Sequence, residues 1–304
     1  MSTQTTALAQ SALRTERVAL AALLLGALGI AFSPIFVRLS ELGPTATAFH
    51  RVALAAPLLF LWLALERRGR PAKPAPLRRV TGLLVLAGAC FAGDLALWHW
   101  SIKLTSVANS TLLANLAPIF VTLGVFLLFG ERVRPVFLLG LALAIGGAAL
   151  LMGGSLSLST EHILGDVLGL VTAMFYAGYM LTVSRLRNAC STATIMAWSA
   201  LGTAILLLPV ALASGESLLP RTAYGWTILV GLAWVSHAGG QSLIAYALAH
   251  LPAAFSSVAL LLQPAAAAFL AWALLGESLG PLQALGGAVV LAGVLIARRA
   301  SRGP

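Results

Sequence analysis

The sequence predicts an all-α integral membrane protein whose ten transmembrane helices form two inverted five-helix repeats. Composition, run length and an internal duplication carry that prediction. Hydrophobic residues make up 60% of the 304 positions and charged residues 9%, whereas soluble domains carry roughly a quarter charged residues. Apolar runs near twenty residues, enough to cross about 30 Å of hydrocarbon, recur from end to end. One pattern also occurs twice without a gap. Pro118, Gly130, Glu131, Pro135, Gly140 and Gly147 are matched 146 positions later by Pro264, Gly276, Glu277, Pro281, Gly286 and Gly293. Upstream, Gly93, Leu97 and Trp100 face Gly239, Leu243 and Tyr246 at the same offset.

In chain order, the run 18–37 follows Arg14 and Arg17. It is read as a retained helix, because it lacks a small-x-small cleavage site and no secreted domain follows. The run 45–65 carries His50 and Arg51, and a basic loop, 66–79, separates it from 80–100, which holds Cys90 and Asp94. The run 106–129 contains Pro118 and ends at Gly130-Glu131; Pro135 then opens 136–153 at the position a helix start favours. The second copy repeats this order: 163–184, 192–213, 224–248, 252–275 around Pro264, and 281–297 after Gly276-Glu277 and Pro281. The two repeats are expected over 1–153 and 163–304. Five crossings each is an odd number, so the second copy enters the bilayer from the opposite face. Inverted repeats are the architecture of secondary transporters, in which each copy can adopt the conformation of the other.

Charge fixes the expected orientation. With the N-terminus in the cytoplasm, 15 of the 19 Lys and Arg residues fall on the cytoplasmic side. Arg38, Lys103 and Arg221 fall on the other, and Arg51 lies inside a helix. This positive-inside bias places both termini in the cytoplasm and accounts for the +10 net charge without a nucleic-acid partner. The basic residues are 17 Arg and two Lys, and Ala is abundant, which suits a GC-rich bacterial genome and an inner-membrane location. The two cysteines, Cys90 and Cys190, have neither pairing nor metal spacing, and no metal or cofactor is expected.

Pro118 and Pro264 lie near the middle of their runs. A mid-helix Pro removes a backbone hydrogen bond and clashes with the carbonyl four residues back, here at Ala114 and Leu260. Bends at symmetric places suggest hinges lining a central cavity. Glu131 and Glu277 are expected to accept backbone N–H bonds at their turns. With the duplicated Pro, long apolar run, Gly-Glu-x-x-x-Pro and later Gly, the early Arg51, and Trp100 with Tyr246, nearly the whole chain resembles the EamA family of the drug/metabolite transporter superfamily. That resemblance implies a ten-helix basket around a central cavity and export of amino acids or other small metabolites without ATP. It does not imply a particular substrate.

An ionisable group at the centre of a membrane helix costs roughly 2.5–3.5 kcal/mol, so each needs a partner or a wet cavity. Arg51 and Asp94 sit at matching depth on adjacent helices, so a salt bridge is expected. Arg51 is also read as holding a substrate carboxylate, and Asp94 as exchanging a proton. Trp234, His237 and Gln241, at i, i+3 and i+7, share one α-helical face that suits a cavity wall. Tyr176 and Tyr179 share a face of the sixth helix. Trp98, Asn115, Gln263 and His50 complete the candidate cavity residues, the two amides beside the Pro kinks also being able to satisfy freed carbonyls. Asp94 or His237 would carry a proton if transport is proton-coupled. The expected partners are a small-molecule substrate, the lipid bilayer and protons. The expected function is export by alternating access, with zwitterionic amino acids the leading substrates. A multidrug, nucleoside or vitamin carrier is the alternative. An intramembrane aspartyl protease is a distant one, since Gly93-Asp94 and Gly165-Asp166 are present but the Gly-x-Gly-Asp pattern is not.

Overall fold

The computed structural model describes residues 2–68, 77–105, 107–152, 160–275 and 280–301. The duplicated Gly276-Glu277 therefore lies outside the described residues. Among these residues ten helices are long and apolar enough to span a bilayer: Leu13–Leu39, Pro44–Arg67, Val80–Leu104, Asn109–Phe129, Pro135–Met152, Ile163–Leu186, Thr192–Ala213, Ala223–Ala247, Ala253–Leu274 and Pro281–Ser301. These are the ten runs read from sequence, with ends shifted by a few residues. The even number puts both termini at one end of the bundle, called here the terminal end; the other is the far end. Leu25, Leu61, Phe126, Leu127 and Leu212 are among the many large apolar side chains exposed on the outside, as a lipid-facing surface requires.

Helix packing obeys the duplication. The third helix packs on the sixth, and its counterpart pairing, the eighth on the first, is also present. The fourth on the sixth is mirrored by the ninth on the first, and the third on the seventh by the eighth on the second. The pairs second–seventh, fourth–ninth and fifth–tenth are their own counterparts. Every major contact thus has a mate under exchange of the repeats, which is what a pseudo-twofold axis demands.

The fifth–tenth seam shows why the repeat glycines are there. A Cβ added at Gly140 would lie 2.6 Å from the Ala297 nitrogen, and one at Gly293 2.5 Å from the Ala144 nitrogen. At Gly147 the distance is 2.6 Å to the Val290 nitrogen, and at Gly286 2.6 Å to the Leu151 nitrogen. Two backbones touch along four glycines, the close approach that small residues permit between membrane helices.

Both Pro positions interrupt their helices. In the fourth helix Val107–Ala114 gives way to Ala117–Phe129, and in the ninth Ala253–Ala259 to Leu262–Leu275. Leu116 N–H donates to Leu113 O (3.1 Å) and Leu261 N–H to Val258 O (3.1 Å), the tighter pattern of a turn taken without a full α register. Gly130 ends its helix at φ 70°, and its N–H bonds Phe126 O at 3.1 Å. Glu131 does not accept the turn's N–H groups as expected; it is exposed, and backbone carbonyls satisfy the turn.

The eighth helix departs from the sequence expectation. Residues Leu232–Gln241 form a π-helical stretch, whose wider i→i+5 turn spoils the i, i+3, i+7 alignment. His237 and Gln241 are buried, but Trp234 is 51% exposed on the outside. Its indole N–H instead donates to Leu54 O at 3.3 Å, at the break between Pro44–Ala53 and Ala56–Arg67.

Candidate substrate site

A small cavity lies between the two Pro breaks, lined by Ala114, Asn115, Ala117, Pro118, Tyr176, Ser257, Leu260, Leu261 and Gln263. Three pairs within that lining, Ala114 with Leu260, Asn115 with Leu261, and Ala117 with Gln263, are counterparts at the 146-residue offset. The cavity therefore straddles the pseudo-twofold axis. It holds about 30 Å³, room for a water or two and far below the 300–1,000 Å³ typical of organic-ligand sites. The bundle is closed around it.

Tyr176 connects this cavity to a second, buried cluster. Its ring stacks on Tyr179 with centroids 6.2 Å apart, and Tyr179 packs against Phe91 at 4.8 Å. Phe91 is the hub: the Arg51 guanidinium lies 5.9 Å above its ring, and His237 packs on it at 5.4 Å. Phe91 and His237 are themselves counterparts at the 146 offset, so they meet across the axis. Sequence reading passed over Phe91, although it sits three residues before Asp94 on the same helical face.

Arg51 and Asp94 do not form the expected salt bridge. The guanidinium donates to Ser33 Oγ at 3.2 Å, because Pro34 restarts the first helix at Ser33 and brings that hydroxyl under the second helix. Asp94 stays within electrostatic range of Arg51 and of Tyr176 and is only half-buried. Asp166 accepts hydrogen bonds from Thr105 (2.7 Å) and Asn109 (3.3 Å), so the Gly-Asp pairs do not make a free carboxylate dyad.

Several buried polar atoms around this region have no hydrogen-bond partner: Arg51 Nε, both ring nitrogens of His237, and the amide nitrogens of Gln241 and Gln263. Leaving such a group unsatisfied costs about 1–3 kcal/mol, so these atoms have hydrogen-bonding capacity to offer a ligand or water. Gln241 lies beside the hydroxyls of Tyr176 and Tyr179. The remaining candidates fall elsewhere. His50 is tied to its own helix, donating Nδ1–H to Ala46 O at 2.9 Å, and packs edge-on to Trp226 at 5.9 Å. Trp98 packs edge-on to His99 at 5.0 Å and does not line the cavity. Pro264 adjoins the lining through Gln263.

Comparison with known proteins agrees with this architecture. An uncharacterised transporter of Archaeoglobus fulgidus is 33% identical over 270 residues, covering 86% of this chain and 91% of that protein. A probable terminal-alkyne amino-acid exporter of Streptantibioticus cattleyicolor is 28% identical, covering 90% of each chain. The pseudopaline exporter of Pseudomonas aeruginosa is 26% identical, covering 84% of this chain and 86% of its own. A solved crystal structure with 18% identity superposes at a TM-score of 0.78 over 95% of this chain and 99% of the other, which supports the fold. The model of the EamA-like transporter family matches twice, at residues 17–153 and 163–299. Two matched copies, ten spans and a cavity on the axis between them lead to one conclusion: this chain is a membrane protein of the EamA-like transporter family.

Proposed function

We propose that this protein exports small zwitterionic metabolites, amino acids foremost, by alternating access, and that the cavity between the Pro breaks is where they are held. The carrying observation is the cavity's position on the pseudo-twofold axis, walled by Asn115, Tyr176 and Gln263. Arg51 supplies a fixed cation near Tyr176 for a carboxylate, and Asp94 an anion that exchanges a proton or meets an ammonium. Aromatic and amide groups suit a neutral body. The amino-acid exporter among the relatives supports this substrate class. On this reading the terminal end faces the cytoplasm of a bacterium, as the positive-inside bias argues.

The test is counterflow of labelled amino acids in proteoliposomes holding the purified protein. Trans-stimulation by unlabelled amino acid is expected, because a carrier must reorient and a channel need not. Exchange of no amino acid, combined with resistance of expressing cells to lipophilic cations, would replace this reading with a multidrug one.

A further inference from the structure

The two ends of the bundle are closed by different chemistry. At the far end, polar ties join the repeats. Glu216, in the loop before the eighth helix, accepts from Lys103 Nζ at 2.8 Å and from Ala46 N–H at 2.8 Å. Glu41, between the first and second helices, accepts from the N–H groups of Arg221 (2.7 Å) and Thr222 (3.2 Å) and from the Thr222 hydroxyl. Asp166 at the start of the sixth helix accepts from Thr105 and Asn109. Ser101 donates to Gly165 O at 2.7 Å.

The same helix pairings recur at the terminal end, where the eighth helix meets the first. There the 146-offset counterparts of Ser101, Lys103, Thr105 and Asn109 are Ala247, Ala249, Leu251 and Phe255. Those of Gly165 and Asp166 are Ala19 and Leu20. Each of these five hydrogen-bonding side chains is thus an apolar residue in its mate, whereas the counterparts of Glu41 and Glu216 are Arg187 and Arg70. At the terminal end, Ser191 Oγ donates to Glu66 at 2.7 Å, and Arg185 reaches Leu128 O at 3.5 Å and lies 4.5 Å from the centre of the Phe129 ring.

We propose that the far-end ties form a polar lock stronger than the ties that join the repeats at the terminal end among the described residues, so that the empty carrier rests closed at the far end and opens preferentially at the terminal end. An inverted repeat with identical side chains would populate its two open states equally. An excess of directional bonds on one side breaks that equality, because opening the far end must rupture more of them than opening the terminal end. Glu216 is central, since it joins the seventh–eighth loop to both the second and third helices. An exporter that loads at its terminal end would benefit from waiting there. The inference rests on the alternating-access reading above.

The test is thiol accessibility of the cavity wall. In a Cys90→Ala/Cys190→Ala background, Ser257→Cys reports on the cavity. Ser217→Cys and Arg68→Cys, each exposed, identify the vesicle face bearing the far and terminal ends. Without substrate, a membrane-impermeant maleimide should label Ser257→Cys about tenfold faster from the terminal end, a bias of about 1.4 kcal/mol. Glu216→Gln with Asp166→Asn should raise far-end labelling and lower the ratio toward unity, and Lys103→Met alone should move it the same way. Equal labelling from both ends without the lock substitutions, or a ratio unmoved by Lys103→Met in protein that stays monodisperse, overturns the lock. Counterflow with the Cys90→Ala/Cys190→Ala protein that lacks the cavity cysteine separates the two ideas: lost exchange speaks against the carrier, while normal exchange with symmetric labelling speaks against the lock alone.

Discussion

Two neighbouring glycines should respond to the same substitution with opposite sign. Gly147 faces the tenth helix, and a Cβ there would stand 2.6 Å from the Val290 nitrogen and 2.8 Å from Gly286 O. Ordinary carbon contacts need about 3.5 Å or more, so Gly147→Ala must push the two helices apart by most of an ångström. Backbone cannot step aside as a flexible side chain can. Overpacking of this kind costs about 1–3 kcal/mol. At Gly146, one residue earlier, nothing lies within 4 Å of the added Cβ. There Ala only gains helix propensity, worth about 0.5–1 kcal/mol over Gly.

The expected result is therefore a gap of about 1.5–4 kcal/mol between two variants of identical composition, with Gly146→Ala at or above the parent and Gly147→Ala below it. The second repeat supplies its own control. Gly286→Ala should behave like Gly147→Ala, its Cβ meeting the Leu151 nitrogen at 2.6 Å, and Gly287→Ala like Gly146→Ala, with Ala265 Cβ at 3.9 Å the nearest atom. Reversible unfolding in mixed detergent micelles, followed by circular dichroism, measures the differences. If Gly146→Ala and Gly147→Ala destabilise equally, the glycines serve propensity or flexibility, and the backbone seam is wrong.

Other outcomes follow from the same geometry. A double-mutant cycle between Arg51→Met and Ser33→Ala should show coupling of about 0.5–3 kcal/mol, because the guanidinium donates to that hydroxyl; the cycle with Asp94→Ala should lie closer to additivity, and the reverse order would restore the salt bridge expected from sequence. Far-end closure should be insensitive to pH between 6 and 8 and loosen only in acid. Burial opposes ionisation of Glu216, yet Lys103 and the Ala46 N–H outweigh it and hold its carboxyl below the usual 4.5, while the Thr222 hydroxyl, against a smaller effect of burial, does the same for Glu41. A lowered pKa gives stability that is present above the unfolded value and lost as pH falls through the folded one, so amide exchange at residues 41–46 should accelerate below about pH 4.5 and not at pH 6. Tyr176→Phe and Gln263→Leu should fold normally and each weaken substrate binding about tenfold in a thermal-shift titration; unchanged affinity in both would place the substrate elsewhere.

Much of the architecture could be read from the chain because membrane helices state their length directly in apolar runs, and a gapless duplication states its symmetry. Pro118 and Pro264 were legible for the same reason: the missing N–H acts locally and needs no knowledge of the partner helix. What escaped depends on contacts between helices. Phe91 is one of 12 Phe residues, and its place at the hub comes from which face of the third helix meets the second, sixth and eighth. The Arg51 partner is Ser33, because the restart at Pro34 sets the rotation of the first helix. Trp234 left its expected face because a π-helical stretch alters the angular spacing of side chains, and only the adjacent Gly239 and Gly240 hint at such freedom. The far-end ties required knowing that the loop at Glu216 reaches across to Lys103, 113 positions away.

The duplication and its imperfections serve separate ends. Exchange between two open states needs two backbones that can trade conformations, and the helix pairings, the glycine seam and the paired Pro breaks are alike in both copies. Binding needs the opposite. An amino acid has a carboxylate at one end and an ammonium at the other, so a lining with true twofold symmetry would offer matched charges to neither orientation. The charges near the axis are accordingly unduplicated: the counterparts of Arg51 and Asp94 are Ala197 and Gly240, and Phe91 is answered by His237. Replacing one charge by an apolar counterpart also spares the membrane a second buried ion costing roughly 2.5–3.5 kcal/mol. On the proposed reading, polar asymmetry at the axis selects how the substrate lies, and polar asymmetry at the far end selects which way the empty protein faces, both imposed on a backbone that by itself has no preference.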